Sequence, residues 1–197
     1  YAYTVDGETA GEIEDETFCA DSLIVVFKGV NVHPGYAKDK MINSAKIAAK
    51  FLDQLPKDAM SPETTADKEG YVHPHALQGG VEETKIVFLI RDFTVDGLHK
   101  KEKFLEKLAR DTVAEYPKAD VEITVKESYR NMKYALDKEP KVTEYAVEAI
   151  ERAGLTPIRN SIRGGTDGAR LSFEGLLTPN LFTGGHNFHS KQEWISV

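Results

Sequence analysis

Apolar positions along the chain switch between a period of two and helical spacing, and the switches mark out the elements. Residues 3–6 read as a short strand running into an Asp6-Gly7 turn. In residues 20–30, Leu23, Val25 and Phe27 lie on one face and Ile24 and Val26 on the other, as in a strand rich in β-formers. Asn31-Val32-His33-Pro34-Gly35 is a turn. Residues 38–55 carry Met41, Ile42, Ala45, Ala48, Ala49 and Leu52 at near-helical spacing, and Pro56 stops that helix. The polar stretch 57–70, with Pro62 and Gly70, is a loop. Residues 72–81 and 83–93 read as two strands, the second alternating Ile86, Phe88 and Ile90 with Val87, Leu89 and Arg91. An amphipathic helix over 98–114 and a strand over 121–125 come next.

The order from residue 20 to 129 is therefore β-α-β-β-α-β, which suits a ferredoxin-like α+β layer of one antiparallel sheet covered by two helices. Beyond it come a helix over 142–153 closed by Gly154, a strand over 156–162, a helix over 166–173 and a strand over 180–183. This α-β-α-β tail belongs to a second sheet of α/β type.

Composition narrows the function classes. A length of 197 residues fits one large domain or two small ones, and 41% hydrophobic residues suffice for a core. With 29% charged residues and a net charge of -7, the chain is a poor partner for nucleic acid or an anionic membrane surface. No run is long and apolar enough to span a bilayer. Cys19 is the only cysteine, so an intrachain disulfide and a cysteine metal cluster are excluded, and a reducing, cytoplasmic setting fits. Both ends, Tyr1-Ala2-Tyr3-Thr4-Val5-Asp6-Gly7 and Glu193-Trp194-Ile195-Ser196-Val197, read as cuts through structure.

Candidate chemistry centres on Ser161-Ile162-Arg163-Gly164-Gly165-Thr166-Asp167-Gly168-Ala169. A glycine-rich turn feeding a helix lets backbone N–H groups approach an anion, and Arg163 can add a forked grip on a carboxylate or phosphate. It lacks the Gly-Lys-Ser/Thr ending of a P-loop, and an ordinary strand–turn–helix connection explains it as well. Of six histidines none forms a His-Glu-x-x-His motif. His186-Asn187-Phe188-His189 follows a Thr183-Gly184-Gly185 turn, where a metal ligand or two solvent-facing side chains are both reasonable. Asp6 at a strand end is the best isolated carboxylate, although aspartate is common at turns. His33 before Pro34-Gly35 can donate to a developing oxyanion or simply cap the next helix. Arg91-Asp92 ends an apolar strand and can bind a ligand or pair locally. There is no Gly-x-Ser-x-Gly elbow, no dinucleotide fingerprint, and no base beside Cys19.

Five segments in this order carry a resemblance: Tyr1-Ala2-Tyr3-Thr4-Val5-Asp6-Gly7, Asn31-Val32-His33-Pro34-Gly35-Tyr36-Ala37-Lys38, Ile90-Arg91-Asp92-Phe93, Ile162-Arg163-Gly164-Gly165-Thr166-Asp167-Gly168 and Asn180-Leu181-Phe182-Thr183-Gly184-Gly185. The chain resembles the two-zinc metallopeptidase family, which includes tripeptide aminopeptidases and succinyl-diaminopimelate desuccinylase. The resemblance implies a ferredoxin-like lid, residues 15–135, inserted in an α/β zinc-peptidase catalytic domain represented by residues 1–14 and 136–197. It implies a zinc-dependent aminopeptidase that releases the N-terminal residue of tripeptides. Two zinc ions per complete site are implied, with Asp6 as ligand of one and His189 as ligand of the other. His33 is implied as the lid histidine that reaches the substrate or its oxyanion, Arg91 and Arg163 as receivers of the terminal carboxylate, and Asn131 as a further polar contact. Related desuccinylases pair through their lids and donate the lid histidine across the dimer, so a homodimer through the lid is among the implications.

In that family a histidine ligand, a bridging aspartate and the glutamate base precede the Thr-Val-Asp-Gly motif. Here that motif opens the chain, so the expectation is a catalytically incomplete fragment without its general base. Gly7-Glu8-Thr9 and Ser190 also depart from the family pattern, where glycine is frequent. The competing expectation is a non-catalytic ferredoxin-like module for ligand binding or assembly, which accounts for the middle block alone.

Overall fold

The computed structural model describes residues 1–195; Ser196 and Val197, the last of the apolar C-terminal stretch, lie outside the described residues. Among the described residues, ten strands and five helices succeed one another as β1 (Thr4–Gly7), β2 (Glu12–Thr17), β3 (Cys19–Lys28), α1 (Ser44–Asp53), β4 (Tyr71–Gly79), β5 (Glu83–Asp92), α2 (Val95–Ala114), β6 (Asp120–Tyr129), α3 (Lys133–Leu136), α4 (Lys141–Arg152), β7 (Ile158–Ile162), α5 (Asp167–Phe173), β8 (Asn180–Phe182), β9 (Gly185–His186) and β10 (Trp194–Ile195). A short 3₁₀ turn, Pro34–Tyr36, lies between β3 and α1. The chain divides into two compact units, Tyr1–Cys19 with Tyr129–Val197 (unit 1) and the continuous Ala20–Ser128 (unit 2).

Unit 2 is the ferredoxin-like layer. Its strands lie in the order β4-β5-β3-β6, so the first and third strands of the β-α-β-β-α-β sequence are central. The alternation in β3 and β5 puts Leu23, Val25, Phe27, Ile86, Phe88 and Ile90 into the core with no exposed surface. The helices supply Ile47 and Phe51 from α1 and Leu98 and Leu105 from α2. Phe51 contacts Phe27 and Phe88 edge-on, with ring centroids 5.4 and 5.8 Å away. Such pairs add to plain burial.

Helix α1 starts later than the apolar spacing predicts. Asn43 caps it through Oδ1 and the Ala45 N–H (2.9 Å), while Ile42 exchanges both backbone hydrogen bonds with Val30 in a single bridge. Asparagine before serine is a start signal that outranks the spacing of Met41 and Ile42.

Unit 1 holds a mixed sheet in the order β1-β8-β2-β7. β1 runs parallel to β8, β2 parallel to β7, and β2 antiparallel to β8. Ile13 of β2 is fully buried against Ala146 and Ile150 of α4, with Tyr3, Val147, Leu181 and Phe182 around them. Tyr3 closes this cluster by donating its hydroxyl to the Val142 carbonyl (2.6 Å). Met132, Leu136 and Ala169 form a second cluster.

Candidate functional site

Asp6 lies near the end of β1, exposed, where the β1–β8 register slips between Val5 and Gly7. The next carbonyl, Gly7 O, accepts both the N–H (2.7 Å) and the hydroxyl (2.8 Å) of Thr183. A side chain at Gly7 would stand 3.1 Å from the Leu181 carbonyl, so glycine lets the two strand ends close up. The Asp6 turn is thereby tied to the start of the loop that carries His189.

That loop is shaped by backbone conformation. Gly184 adopts φ +79°, and Asn187 and His189 take left-handed values of 58° and 61°. The His189 N–H donates to Glu193 Oε2 (3.1 Å) and its side chain is exposed. His186 stacks on Trp194, with ring centroids 4.4 Å apart, and its Nδ1 lies 3.6 Å from Glu8 Oε1. The structure therefore brings together the turn holding Asp6 and Glu8 and the loop holding His186 and His189. Among the described residues no group of three or more His, Cys, Asp or Glu side chains is arranged to hold a metal ion. One carboxylate and one imidazole are suitable zinc donors in kind, but a zinc site needs about four.

Arg163 follows β7, on the opposite edge of the same sheet from β1. Three inter-strand spacings separate the edges, about 14 Å. Its guanidinium carbon lies over the Phe18 ring, 5.2 Å from the centroid. The Gly164 carbonyl accepts the Phe18 N–H (3.1 Å).

Asn131 is 2% exposed. Its Oδ1 accepts the N–H groups of Thr17 (3.1 Å) and Lys133 (3.0 Å), and its own N–H meets Cys19 Sγ at 3.4 Å. A buried amide in these bonds joins two distant stretches of backbone, a task that spacing in the sequence does not reveal.

In unit 2, His33 is exposed and caps the 3₁₀ turn, its Nδ1 accepting the Gly35 N–H at 3.1 Å. An acceptor at Nδ1 places the proton of the neutral ring on Nε2, which makes that nitrogen a donor. Arg91, at the far end of β5, donates Nη1 hydrogen bonds to the carbonyls of Ile90 (2.8 Å) and Asp21 (3.3 Å). Asp21 is near the start of β3, whereas His33 comes after its end. The two candidate residues thus occupy opposite ends of the unit 2 sheet. From Asp21 to Lys28 the strand alone spans about 23 Å at ~3.3 Å per residue.

Comparison with known proteins places the chain in a family. Residues 16–120 match the model of the peptidase dimerisation domain. The chain is 46% identical over its full 197 residues to Peptidase T of Clostridium perfringens, covering 48% of that protein. It is 49% identical over 194 residues to Peptidase T of Clostridium acetobutylicum, covering 98% of this chain and 47% of that one. The chain spans about half the length of the curated relatives it matches. Among solved structures, aminopeptidase PepT from Bacillus cereus aligns with a TM-score of 0.78 at 22% identity, over 98% of this chain and 51% of that one. A Staphylococcus aureus tripeptidase aligns with a TM-score of 0.80 at 19% identity, over 98% and 51%. The YXEP protein of Bacillus subtilis, described as a dinuclear metal binding peptidase from the M20 family, aligns with a TM-score of 0.66 at 16% identity, over 98% and 50%. These structures share the fold. With residues 16–120, more than half its length, inside the family model, the chain belongs to the peptidase dimerisation domain family.

Proposed function

We propose that these residues are part of a zinc-dependent, cytoplasmic aminopeptidase that removes the N-terminal residue from tripeptides. The observation that carries the reading is the pairing of the Asp6 turn with the His189 loop at one edge of a sheet whose other edge ends in Arg163. Similarity to Peptidase T along the whole chain supports it. In this reading residues 15–135 are the lid, and residues 1–14 and 136–197 belong to the catalytic domain.

Asp6 contributes one donor to one zinc and His189 one donor to the other. Two donors do not complete a zinc site. The remaining donors and the general base come from residues outside this chain, and the work of this chain is to handle the peptide. A tripeptidase must measure length, and an extended tripeptide spans about 10 Å. Arg163 and Arg91 receive its terminal carboxylate, for which a forked guanidinium is well matched. His33, a donor at Nε2, stabilises the oxyanion. Asn131 holds the backbone near Arg163 and is at most a minor polar contact.

The separation of His33 from Arg91 along β3 supports a homodimer through the lid, in which His33 serves the partner copy's substrate while Arg91 serves its own. An assembly role for unit 2 is part of this reading, and by itself it leaves Asp6, His189 and Arg163 unexplained.

The test uses the full native polypeptide that carries these residues. Replacing Arg163 or Arg91 with Ala is expected to raise KM for free tripeptides by at least tenfold, about 1.4 kcal/mol, and far less for C-terminally amidated ones. Equal effects on both substrates would overturn the carboxylate assignment. The purified 197-residue chain alone, supplied with zinc, is expected to hydrolyse no tripeptide.

A further inference from the structure

Arg163 rests on a residue that is itself held in place. Thr17, Phe18 and Cys19 have no exposed surface. Thr17 is fixed on both sides, its N–H donating to Asn131 Oδ1 (3.1 Å) and its Oγ1 accepting the Met132 N–H (3.1 Å). The Asn131 N–H reaches Cys19 Sγ at 3.4 Å. Phe18, between these anchors, donates its N–H to Gly164 O (3.1 Å) and presents its ring to the Arg163 guanidinium at 5.2 Å. On the other side of the loop, Gly165 packs so closely on the Tyr129 ring that a Cβ there has no room. The backbone next to Arg163 and its charged head are therefore both referred to one buried aromatic residue.

We propose that Phe18 is the positioning residue for Arg163, setting the direction from which the guanidinium meets the peptide's terminal carboxylate. The inference rests on the reading of Arg163 as a carboxylate receiver. A cation held against an aromatic face is attracted by the ring quadrupole. That contact orients the group through the ring face and itself uses none of the guanidinium N–H donors. An arginine held this way surrenders less side-chain freedom on binding than one sampling many rotamers.

The test compares Phe18→Leu and Phe18→Met with the parent protein and with Arg163→Ala, all in the full native polypeptide. Both substitutions keep an apolar side chain of similar bulk and remove the ring face. The expected result is a rise of about five-fold in KM for free tripeptides, the scale of a partly desolvated cation–π contact. The turnover number should hold, and KM for amidated tripeptides should stay unchanged. Thermal unfolding records any general loss of stability, which would not by itself alter the preference for a free carboxylate. If Arg163→Ala abolishes that preference while both Phe18 variants keep it, the positioning role is overturned and the reading of Arg163 survives. If Arg163→Ala leaves the preference intact, the reading itself fails. If neither Phe18 variant folds, the ring is purely a packing element and the inference is overturned.

Discussion

Lys101 Nζ lies 2.6 Å from Asp92 Oδ2, and each side chain is only 14% exposed. The other carboxylate oxygen accepts the N–H (2.8 Å) and the hydroxyl (2.9 Å) of Thr94. One carboxylate therefore fastens the end of β5, next to Arg91, to the first turns of α2. Removing one member of a largely buried pair leaves the other without its counter-charge. Asp92→Ala is expected to destabilise the fold by about 3 kcal/mol. Asp53→Ala, which breaks the exposed Lys57–Asp53 pair, should cost no more than about 1 kcal/mol. Urea unfolding of the two variants checks the contrast.

Gly97 is expected to reverse the usual helix rule. Replacing a helical glycine with alanine ordinarily stabilises by up to about 1 kcal/mol. A Cβ on Gly97, inside α2, would run into the Asp92 carboxylate, which Lys101 and Thr94 hold in place. Gly97→Ala should therefore lower the melting temperature. At Gly80, in the turn between β4 and β5, a Cβ meets nothing within 4 Å. Gly80→Ala should be neutral or slightly stabilising, by about 0.5 kcal/mol. A calorimetric melt that moves both variants the same way would contradict this.

Glu14 makes stability depend on pH. Burial raises its pKa; a hydrogen bond from Asn180 opposes the rise, and the charges of Glu12, Asp6 and Glu8 add to it. The folded protein thus holds this proton more tightly than the unfolded chain. The resulting stabilisation is fully present below the ordinary carboxylate range, near pH ~4, and is lost as pH rises through the higher folded value. Glu14→Gln keeps an acceptor for Asn180 Nδ2, which now donates to Oε2 at 2.6 Å. The variant should match the parent near pH ~4 and be the more stable of the two at neutral pH. Melting curves across that range test the sign.

Much of unit 2 was legible because its faces alternate cleanly: β3, β5 and α2 bury one face and wet the other. β2 carries no strand signal in its sequence, since Glu12, Glu14, Asp15 and Glu16 are poor strand formers by composition. Its carboxylates are accommodated by partners 144 to 166 residues away: Asn160, Asn180, Ser161 and Arg159. β6 runs to Tyr129, beyond the apolar stretch that announced it, because it is an edge strand with much of its length in water. The four-residue helix α3 carries no periodic signal of its own. Among the candidate residues, the strand-end turn of Asp6 and the glycine loop around Arg163 stood out by composition. The support beneath them did not. Phe18 looks like any isolated apolar residue after an acidic stretch, and the work of Asn131 depends on Thr17, which lies 114 positions away.

The pairing of β1 with β8 has a consequence for the order of folding. Thr4 lies opposite Asn180 and Val5 opposite Leu181, so β1 meets this neighbour only after a long stretch of intervening chain. Unit 2 is contiguous from Ala20 to Ser128 and can close on itself as soon as that stretch has left the ribosome. Once folded, unit 2 replaces a long flexible loop with a compact body. The pairings of β1 with β8 and of the acidic β2 with β7 and β8 cannot form until those later strands have been made. Contacts of such long sequence separation form late and slowly. The low apolar content of β2 and its run of carboxylates make it a poor strand for pairing with another chain in the interval.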